Sequence, residues 1–341
     1  MELLYLNQDE VIAAGGLDMK STIQVVEEAF RLHAFEDDVL PMKTVLRWGG
    51  IETEATRGRI NAMPAYVGGS FDVAGIKWIG GFPKNPFEYE DLPRATGIII
   101  LNDAHTGVPL AFMDGTLISA MRTGATTGVA AKYLAKRDTA IVGIIGAGVQ
   151  ARTQLMALNE SLSIEQVKVY DLSENRSKEY AKQMKELLDL KIKVMGNAKE
   201  CVHGSDVFVT VTTAHEPIVK NSWVKKGSLY AHVAGYEDEY AVARNSHKIV
   251  VDDWEQVKHR GASTLALMHN DGILEDKDIY AELGEIVTGE KAGRETDDER
   301  IYFSPVGMGT EDLTVAYRIY ESAVKRGIGR RLKLWTRPRW V

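Results

Sequence analysis

The pattern of apolar and polar positions changes character along the chain. An apolar run at residues 3–6 predicts a strand, and a helix follows from the helical spacing of Val25, Val26, Ala29, Phe30 and Leu32. Between residues 41 and 115 the apolar runs are short and bounded by Gly, Pro, Asn or Asp. These runs predict strands joined by tight turns, with residues 101–114 forming a hairpin. A helix rich in Ala, Thr and Gly is predicted at about residues 119–136.

From residue 140 onward, strand-like runs alternate with polar, helix-like segments. The runs are continuously apolar and lie at residues 140–145, 167–171, 191–195, 206–212, 228–235 and 248–253. Strands of this kind are covered on both faces, so the pattern predicts a parallel sheet flanked by helices. After residue 253 the pattern indicates helices and loops, with a last helix that starts near residues 305–313. The basic C-terminal tail is interpreted as a solvated terminus.

Composition narrows the class of protein. The chain has 341 residues, of which 45% are hydrophobic, and this length favours two domains. A net charge of −7 argues against a nucleic-acid partner. Cys201 is the single cysteine, which fits a reducing cytoplasm and is interpreted as a small buried residue. We expect no signal peptide and no membrane span, because the apolar runs are only strand-length.

The strongest local motif lies at residues 141–154. An apolar run ends at Gly146, and Gly146-x-Gly148-x-x-Ala151 then opens a helix. Gly146 permits a tight turn, Gly148 lets the backbone approach a pyrophosphate, and Ala151 allows close packing of helix and strand. Asp171 ends the next strand, 23 positions after Gly148, where a carboxylate binds the ribose of NAD. The motif predicts NAD rather than NADP, although the nearby Arg176 weakens that preference. The alternative is a strand–turn–helix that binds no ligand.

Four stretches carry a family resemblance. The chain resembles the ornithine cyclodeaminase/mu-crystallin family at GIKWIGGFPKNP (75–86), ATGIIILND (95–103), SAMRTGATTGVAAKYLA (119–135) and GAGVQA (146–151). Within that family it is similar to the N-[(2S)-2-amino-2-carboxyethyl]-L-glutamate dehydrogenases of 2,3-diaminopropionate biosynthesis, at residues 4–16, 248–256, 281–299 and 305–313.

The resemblance implies an α/β architecture in which a Rossmann dinucleotide-binding domain is inserted into a mixed α+β domain. Residues 1–122 and 305–341 would form the substrate-binding and dimerisation domain, and residues 123–304 the NAD-binding domain. It also implies a cytoplasmic homodimer that binds a small amino-acid substrate.

The predicted chemistry is oxidation next to an amine, which needs a group that binds the carboxylate and a base that keeps the amine neutral. Lys77 is the best candidate, because a lysine between Ile76 and Trp78 on an apolar strand is expected to be buried, with a lowered pKa. The resemblance implies that Lys77 contacts the substrate and that Arg122 bridges substrate and cofactor. The alternatives are a solvent-facing lysine and a surface arginine.

Two sets of candidate residues result. The substrate-binding candidates are Lys43, Arg47, Lys77, Arg122 and Gly307. Lys43 stands where most family members have a carboxylate-binding arginine, and Arg59 and Met63 are interpreted as packing residues at the pocket border. The cofactor-binding candidates are Thr96, Arg122, Thr123, Gly146, Gly148, Val149, Gln150, Asp171 and Thr212. No metal ligand is predicted, because the histidines lack metal-ligand spacing.

One segment departs from the family pattern. Cyclodeaminases carry Gly-Ala-Asp-x-Pro-Gly-Lys where this chain has GYEDEY at residues 235–240. Glu237 is therefore our candidate acid/base, in addition to the catalytic candidate Lys77. A solvated acidic loop is the alternative interpretation. The leading hypothesis is NAD-dependent oxidation of N-(2-amino-2-carboxyethyl)-L-glutamate to 2-oxoglutarate and 2,3-diaminopropionate. Ornithine cyclodeamination, ketimine reduction or alanine-type dehydrogenation, and a non-catalytic small-molecule binding protein stay open as alternatives.

Overall fold

The computed structural model describes residues 1–49 and 57–340. Its contacts divide the chain into two units. The first unit contains Met1–Arg122 and the C-terminal segment that starts at Met308, and the second unit contains Thr123–Gly307. Each unit is therefore described by itself.

The elements follow one another in three segments. The N-terminal segment contains β1 (Glu2–Leu6), α1 (Gln8–Val11), a π-helical turn (Ile12–Gly16), α2 (Met19–Ala34), β2 (Asp38–Val39), β3 (Thr44–Trp48), β4 (Gly58–Val67), β5 (Val73–Gly81), α3 (Asn85–Glu88), β6 (Ala95–Asp103), β7 (Pro109–Asp114) and α4 (Thr116–Leu134), which continues into the second unit. The middle segment contains β8 (Ile141–Ile145), α5 (Val149–Ser161), β9 (Gln166–Tyr170), α6 (Glu174–Leu188), β10 (Ile192–Val194), α7 (Ala198–Val202), β11 (Val207–Thr210), β12 (Leu229–His232), α8 (Tyr240–Arg244), β13 (Lys248–Val251), α9 (Trp254–Lys258), α10 (Thr264–Asn270), β14 (Ala281–Glu282), α11 (Leu283–Thr288) and β15 (Ile301–Ser304). The C-terminal segment contains α12 (Gly309–Arg326) and β16 (Arg330–Lys333).

The first unit is built on a mixed sheet. Its strands lie in the order β16–β1–β7–β6–β5–β4–β2, and β3 also pairs with β4. The β1–β7 pair is parallel and the other pairs are antiparallel. Lys77 on β5 lies opposite Met63 on β4 and Ile99 on β6, so these three side chains share one face. All three are buried.

Helix α12 covers this face closely at its first turn. A Cβ added at Gly309 would lie 3.1 Å from the carbonyl oxygen of Met63 and 3.2 Å from Cβ of Ala65. A larger residue at this position would therefore crowd β4. The missing side chain lets the start of the helix, with its acidic residues Glu311 and Asp312, lie directly on the sheet.

The second unit is a doubly wound α/β domain. All pairs in its sheet are parallel, in the order β10–β9–β8–β11–β12–β15–β13–β14. The strand order reverses at β8, which is the topology of a Rossmann domain. This confirms the predicted fold class, in which parallel α/β structure is inserted between two segments of a mixed domain.

One prediction about the C-terminal third was wrong. The chain after residue 253 is not only helices and loops, because β15 inserts between β12 and β13 and is fully buried. The sequence pattern did not reveal it, although β11, β12 and β13 are equally short and lie in predicted runs. The basic tail is exposed, as expected of a solvated terminus, and its strand β16 also pairs antiparallel with β1.

The described ranges contain neither a helix that could span a membrane nor a cluster of metal-ligand side chains. In residues 1–49 and 57–340, no helix combines the length and the apolar character needed to cross a membrane. Over the same residues, His, Cys, Asp and Glu side chains form no group of three or more that could hold a metal ion.

Candidate active site

Four buried ionisable side chains meet in the first unit, and we call Lys77, Arg122, Glu311 and Asp312 the charged cluster. Lys77 Nζ lies 2.6 Å from Asp312 Oδ2 and donates a hydrogen bond to Ser119 Oγ at 3.2 Å. Arg122 donates from Nε to Asp312 Oδ1 at 3.0 Å and from Nη1 to Glu311 Oε2 at 2.8 Å. Two cations and two carboxylates thus form one connected group.

Local structure explains how each member reaches the cluster. Lys77 is 1% exposed and lies between the buried Met63 and Ile99 of the two neighbouring strands. Arg122 lies on α4, whose small residues leave room for a long side chain. Glu311 and Asp312 lie in the first turn of α12, where free N–H groups and the helix dipole favour carboxylates. Sequence reasoning missed these two acids, because acidic residues at a helix start are common without any catalytic role.

Electrostatics make Lys77 chemically useful. Burial, reinforced by the nearby Arg122 guanidinium, lowers the pKa of Lys77 to about 8, while Asp312 and Glu311 act in the opposite direction. A lysine with a pKa near the working pH can both hold and accept a proton. The expected lowering of the Lys77 pKa thus has a physical cause in this structure.

The register of β3, β4 and β5 places more cations on the face that carries Lys77. Arg47 on β3 lies opposite Arg59 on β4, and Arg59 lies opposite Gly81 on β5. Gly81 and Lys77 are four positions apart on one strand, so they share a face. Lys43 directly precedes β3 at the even spacing from Arg47 that continues this face. We call Lys43, Arg47 and Arg59 the cationic row.

The predicted nucleotide-binding turn lies at the carboxyl end of β8. Gly146 has φ 102°, a conformation that favours glycine, and a Cβ there would lie 2.8 Å from the Val211 carbonyl oxygen. A Cβ at Gly148 would meet nothing within 4 Å, so the packing of the protein does not demand this glycine. A phosphate group approaching the backbone would explain it. The residues present therefore fit a dinucleotide.

Two charged side chains hold the turn in place. Asp171 Oδ2 accepts the Ala147 N–H at 2.9 Å, which joins the end of β9 to the turn. Arg152 donates to the carbonyl oxygens of Ala147 and Gly148 at 2.8 and 2.9 Å. Sequence reasoning missed Arg152, although it follows Ala151 of the motif directly.

Helices α4 and α5 approach each other closely behind the turn. A Cβ added at Gly124 would lie 2.3 Å from the Thr153 carbonyl oxygen, as expected from the small residues of α4. Gln154 donates to the carbonyl oxygen of Thr123 at 3.1 Å. At the start of α5, Val149 is 63% exposed and Gln150 is half-buried, so both border the turn.

Glu237 lies in the interior of the second unit rather than in a solvated loop. Its Oε1 accepts hydrogen bonds from the backbone N–H and Oγ of Thr212, at 2.7 and 2.6 Å. Burial raises the pKa of Glu237. Thr212 follows β11, next to the glycine turn, so this contact supports a role for Glu237 in placing that loop. An acid/base role for Glu237 stays a prediction.

A second buried polar group surrounds Asp238, and we call Tyr230, His232, Asp238, Thr264 and Tyr302 the neutral cluster. Asp238 Oδ1 accepts from Thr264 Oγ1 at 2.7 Å, from Tyr302 OH at 3.1 Å and from Tyr230 OH at 3.5 Å. Burial raises the pKa of Asp238 to about 8 and lowers the pKa of His232 to about 3. Burial thus favours the uncharged form of both groups.

Thr96 and Gly307 are two further candidates, one in each unit. Thr96 lies opposite Gly80 on β5, which puts its side chain on the sheet face opposite to Lys77. Gly307 has φ 82°, and its N–H donates to Asp252 Oδ2 at 2.5 Å. The strand register thus puts Thr96 and Lys77 on opposite faces of the sheet. The backbone of Gly307 is held by Asp252, a residue that sequence reasoning missed.

Comparison with known proteins identifies a family that matches most of the chain. The profile of the ornithine cyclodeaminase/mu-crystallin family matches residues 6–327. An N-((2S)-2-amino-2-carboxyethyl)-L-glutamate dehydrogenase of Staphylococcus aureus is 37% identical over 336 residues, which is 98% of this chain and 99% of that protein.

Two solved structures agree with the fold over nearly the whole chain. Thermococcus litoralis Delta(1)-pyrroline-2-carboxylate reductase, in complex with NADH and L-proline, matches with a TM-score of 0.90 at 37% identity, covering 97% of this chain and 100% of that chain. An archaeal alanine dehydrogenase dimer with bound NAD matches with a TM-score of 0.89 at 36% identity, covering 98% and 100%.

Proposed function

This chain belongs to the ornithine cyclodeaminase/mu-crystallin family, and on that premise we propose that it is an NAD-dependent oxidoreductase that acts on a carbon–nitrogen bond. The substrate proposed is N-(2-amino-2-carboxyethyl)-L-glutamate. Oxidation at the glutamate α-carbon forms an imine, and water adds to that imine. The substrate, NAD⁺ and one water molecule thus become 2-oxoglutarate, 2,3-diaminopropionate, NADH and a proton.

NAD fits the turn of the second unit. Gly146, Gly148 and the start of α5 would hold the diphosphate, and Asp171 would bind the adenosine ribose. When bound, NAD⁺ supplies the hydride acceptor. The relatives solved with NADH or NAD support this assignment. A homodimer is proposed by analogy with the archaeal alanine dehydrogenase dimer.

Lys77 is the proposed base. A secondary amine must lose its proton before its lone pair can assist departure of the hydride. The lowered pKa of Lys77, about 8, lets its neutral amine take that proton near neutral pH. Asp312, which accepts a hydrogen bond from Arg122, lies against Lys77 Nζ and holds the protonated form once the proton has moved. Glu237 is a candidate acid/base whose contact with Thr212 supports a positioning role.

The cationic row is the observation that carries the substrate proposal. The charged cluster contains equal numbers of cations and carboxylates, so its charges compensate one another. Arg47 and Arg59 lie on the same sheet face as Lys77, and Lys43 directly precedes β3. N-(2-amino-2-carboxyethyl)-L-glutamate has three carboxylates, and a row of cations favours it over a substrate with one carboxylate.

One assay tests the proposal. The purified protein is mixed with NAD⁺ and N-(2-amino-2-carboxyethyl)-L-glutamate, NADH is followed by absorbance, and 2-oxoglutarate is measured separately. We expect equal amounts of both products, and Lys325→Met, an exposed lysine of α12, serves as an unaffected control variant. Release of ammonia and proline from ornithine without net NADH would indicate cyclodeamination instead.

A second candidate comes from the relatives of similar identity. Alanine dehydrogenase and Delta(1)-pyrroline-2-carboxylate reductase act on smaller compounds, and both match this chain over nearly its whole length. NADH formation from L-alanine, or NADH consumption with pyrroline-2-carboxylate, would favour these activities. Nucleotide binding without turnover of any amine would favour a binding protein.

A further inference from the structure

We propose that Asp312 is a positioning residue for this reaction, because one carboxylate joins the Lys77 ammonium to the Arg122 guanidinium. The inference rests on the proposed function and adds a residue to it. Asp312 Oδ2 lies 2.6 Å from Lys77 Nζ, and Oδ1 accepts from Arg122 Nε at 3.0 Å. The two oxygens of one planar group therefore fix the distance between the two cations.

Asp312 is better suited to this role than its neighbour Glu311. Glu311 contacts Arg122 through Nη1 at 2.8 Å, whereas Asp312 contacts both cations. The aspartate side chain is short, and it starts from the first turn of α12, which lies directly on the sheet at Gly309. Asp312 is fully buried, so water does not replace either contact.

The groups around Lys77 show what Asp312 must compensate. Helix α4 contributes Arg122 and Ser119, and α12 contributes Glu311 and Asp312. The sheet contributes apolar neighbours directly opposite Lys77, and the cationic row lies further along the same face. Two buried cations side by side repel each other strongly in a medium of low polarity. The carboxylate between them allows both to stay charged and in place.

The test is a titration of Lys77 in the full-length protein. Lysine side chains are labelled with ¹³C at Cε, and the Lys77 NMR signal is identified by its absence in Lys77→Met. In Asp312→Asn the midpoint should move to lower pH by about one unit or more, as expected when an opposite charge within about 4 Å is lost. The pH limb of kcat/KM that depends on Lys77 should move in the same direction.

Two matched variants separate positioning from general damage. Glu311→Gln removes the carboxylate that contacts Arg122, so its shift should be smaller than that of Asp312→Asn. Glu321→Gln changes an exposed carboxylate of the same helix and should shift nothing. A Lys77 midpoint and a pH limb that stay unchanged in Asp312→Asn would overturn the proposal.

If Asp312→Asn does not fold, Asp312→Glu tests the positioning role instead. Its charge is kept but its carboxylate is displaced by one methylene, so the Lys77 midpoint should stay while kcat/KM falls at least about tenfold. A wild-type kcat/KM in Asp312→Glu would contradict positioning. If the wild-type protein forms no NADH from the substrate, the proposed function fails, whereas the NMR titration still reports whether Asp312 holds Lys77.

Discussion

The two units each bury a polar cluster, and the clusters differ in how they avoid uncompensated charge. The charged cluster pairs the cations Lys77 and Arg122 with two carboxylates at 2.6 to 3.0 Å. The neutral cluster surrounds Asp238 with hydroxyl groups and an imidazole, and burial raises the pKa of Asp238 to about 8. The charged cluster holds paired ions in the interior, whereas the neutral cluster favours the uncharged forms of its groups.

The hydrogen bonds of His232 illustrate the difference. Its Nε2 lies 3.5 Å from Asp238 Oδ1, which resembles an ion pair by distance alone. Burial lowers the pKa of His232 to about 3, so the imidazole is uncharged. Nε2 then donates to the Gly235 carbonyl oxygen at 2.5 Å, and Nδ1 accepts from Ser304 Oγ at 3.1 Å. A neutral network of this kind ties β12 and β15 to α10, and it offers no charge for catalysis.

The largest expected effect is on activity, from loss of the Lys77 amine of the charged cluster. Lys77→Met should lower kcat/KM for the proposed substrate by about 10²- to 10⁴-fold, the usual contribution of a general base. NAD binding, measured by calorimetry, should stay unchanged, because the nucleotide-binding turn lies in the second unit. Lys325→Met is the matched control. A Lys77→Met enzyme with wild-type kcat/KM would show that another group is the base.

The second effect is on stability. Arg122→Met leaves Glu311 and Asp312 with too few cations, and breaking a buried ion pair costs about 3 to 5 kcal/mol in the free energy of unfolding. Urea denaturation measures this value. Arg137→Met, at an exposed position, should change the free energy by less than about 0.5 kcal/mol. Equal stabilities for the two variants would contradict a compensated charged cluster.

The third effect depends on pH and concerns the neutral cluster. The pKa of Asp238 is raised from 3.8 to about 8, so the folded state binds the proton more tightly and stability falls as pH rises towards 8. The slope is at most about 1.4 kcal/mol per pH unit. His232 contributes an opposing slope that fades as pH rises above 6.5, its ordinary pKa, and this contribution cancels when wild type is compared with an Asp238 variant.

Asp238→Asn should remove this slope, since its amide stays neutral at every pH. The measurement is the free energy of unfolding of wild type and variant at three pH values from 6.5 to 8. The difference between the two proteins should grow in favour of the variant as pH rises. Parallel curves would mean that Asp238 is ionised in the folded protein at pH 6.5.

The smallest effect comes from a single hydrogen bond. Tyr302→Phe removes one of the hydroxyl groups that donate to Asp238 and should cost about 1 kcal/mol at pH 6.5. Tyr89→Phe, at an exposed position, is the control and should cost nothing measurable. If Tyr302→Phe lost as much free energy of unfolding as Arg122→Met, a hydrogen bond of the neutral cluster would contribute as much as the ion pairs of the charged cluster.

Much of the fold could be predicted from periodicity, because strands β4 to β9 and helix α6 are long enough to express their patterns. Strand β15 could not, since a run of three apolar residues before Ser304 is compatible with a strand, a helix or a loop, and no longer apolar stretch surrounds it. Pairing of β16 with β1 was missed because its side chains are exposed and mostly basic. The backbone forms that pair, and side-chain polarity carries no information about it.

The sequence by itself determined two features of the site. The glycine turn at residues 146–151 depends on contiguous residues, so its geometry is local. The burial of Lys77 depends on the apolar strand that carries it. Both follow from short-range sterics and hydrophobic patterning.

Only the tertiary structure decided which groups accompany Lys77. Asp312 is far from Lys77 in the sequence, and helix α12 brings it to the sheet face through the close approach at Gly309. The pKa of a buried group depends on the charges within a few ångströms. Those charges come from α4 and α12, so the chemistry of Lys77 exists only once these helices and the sheet have packed together.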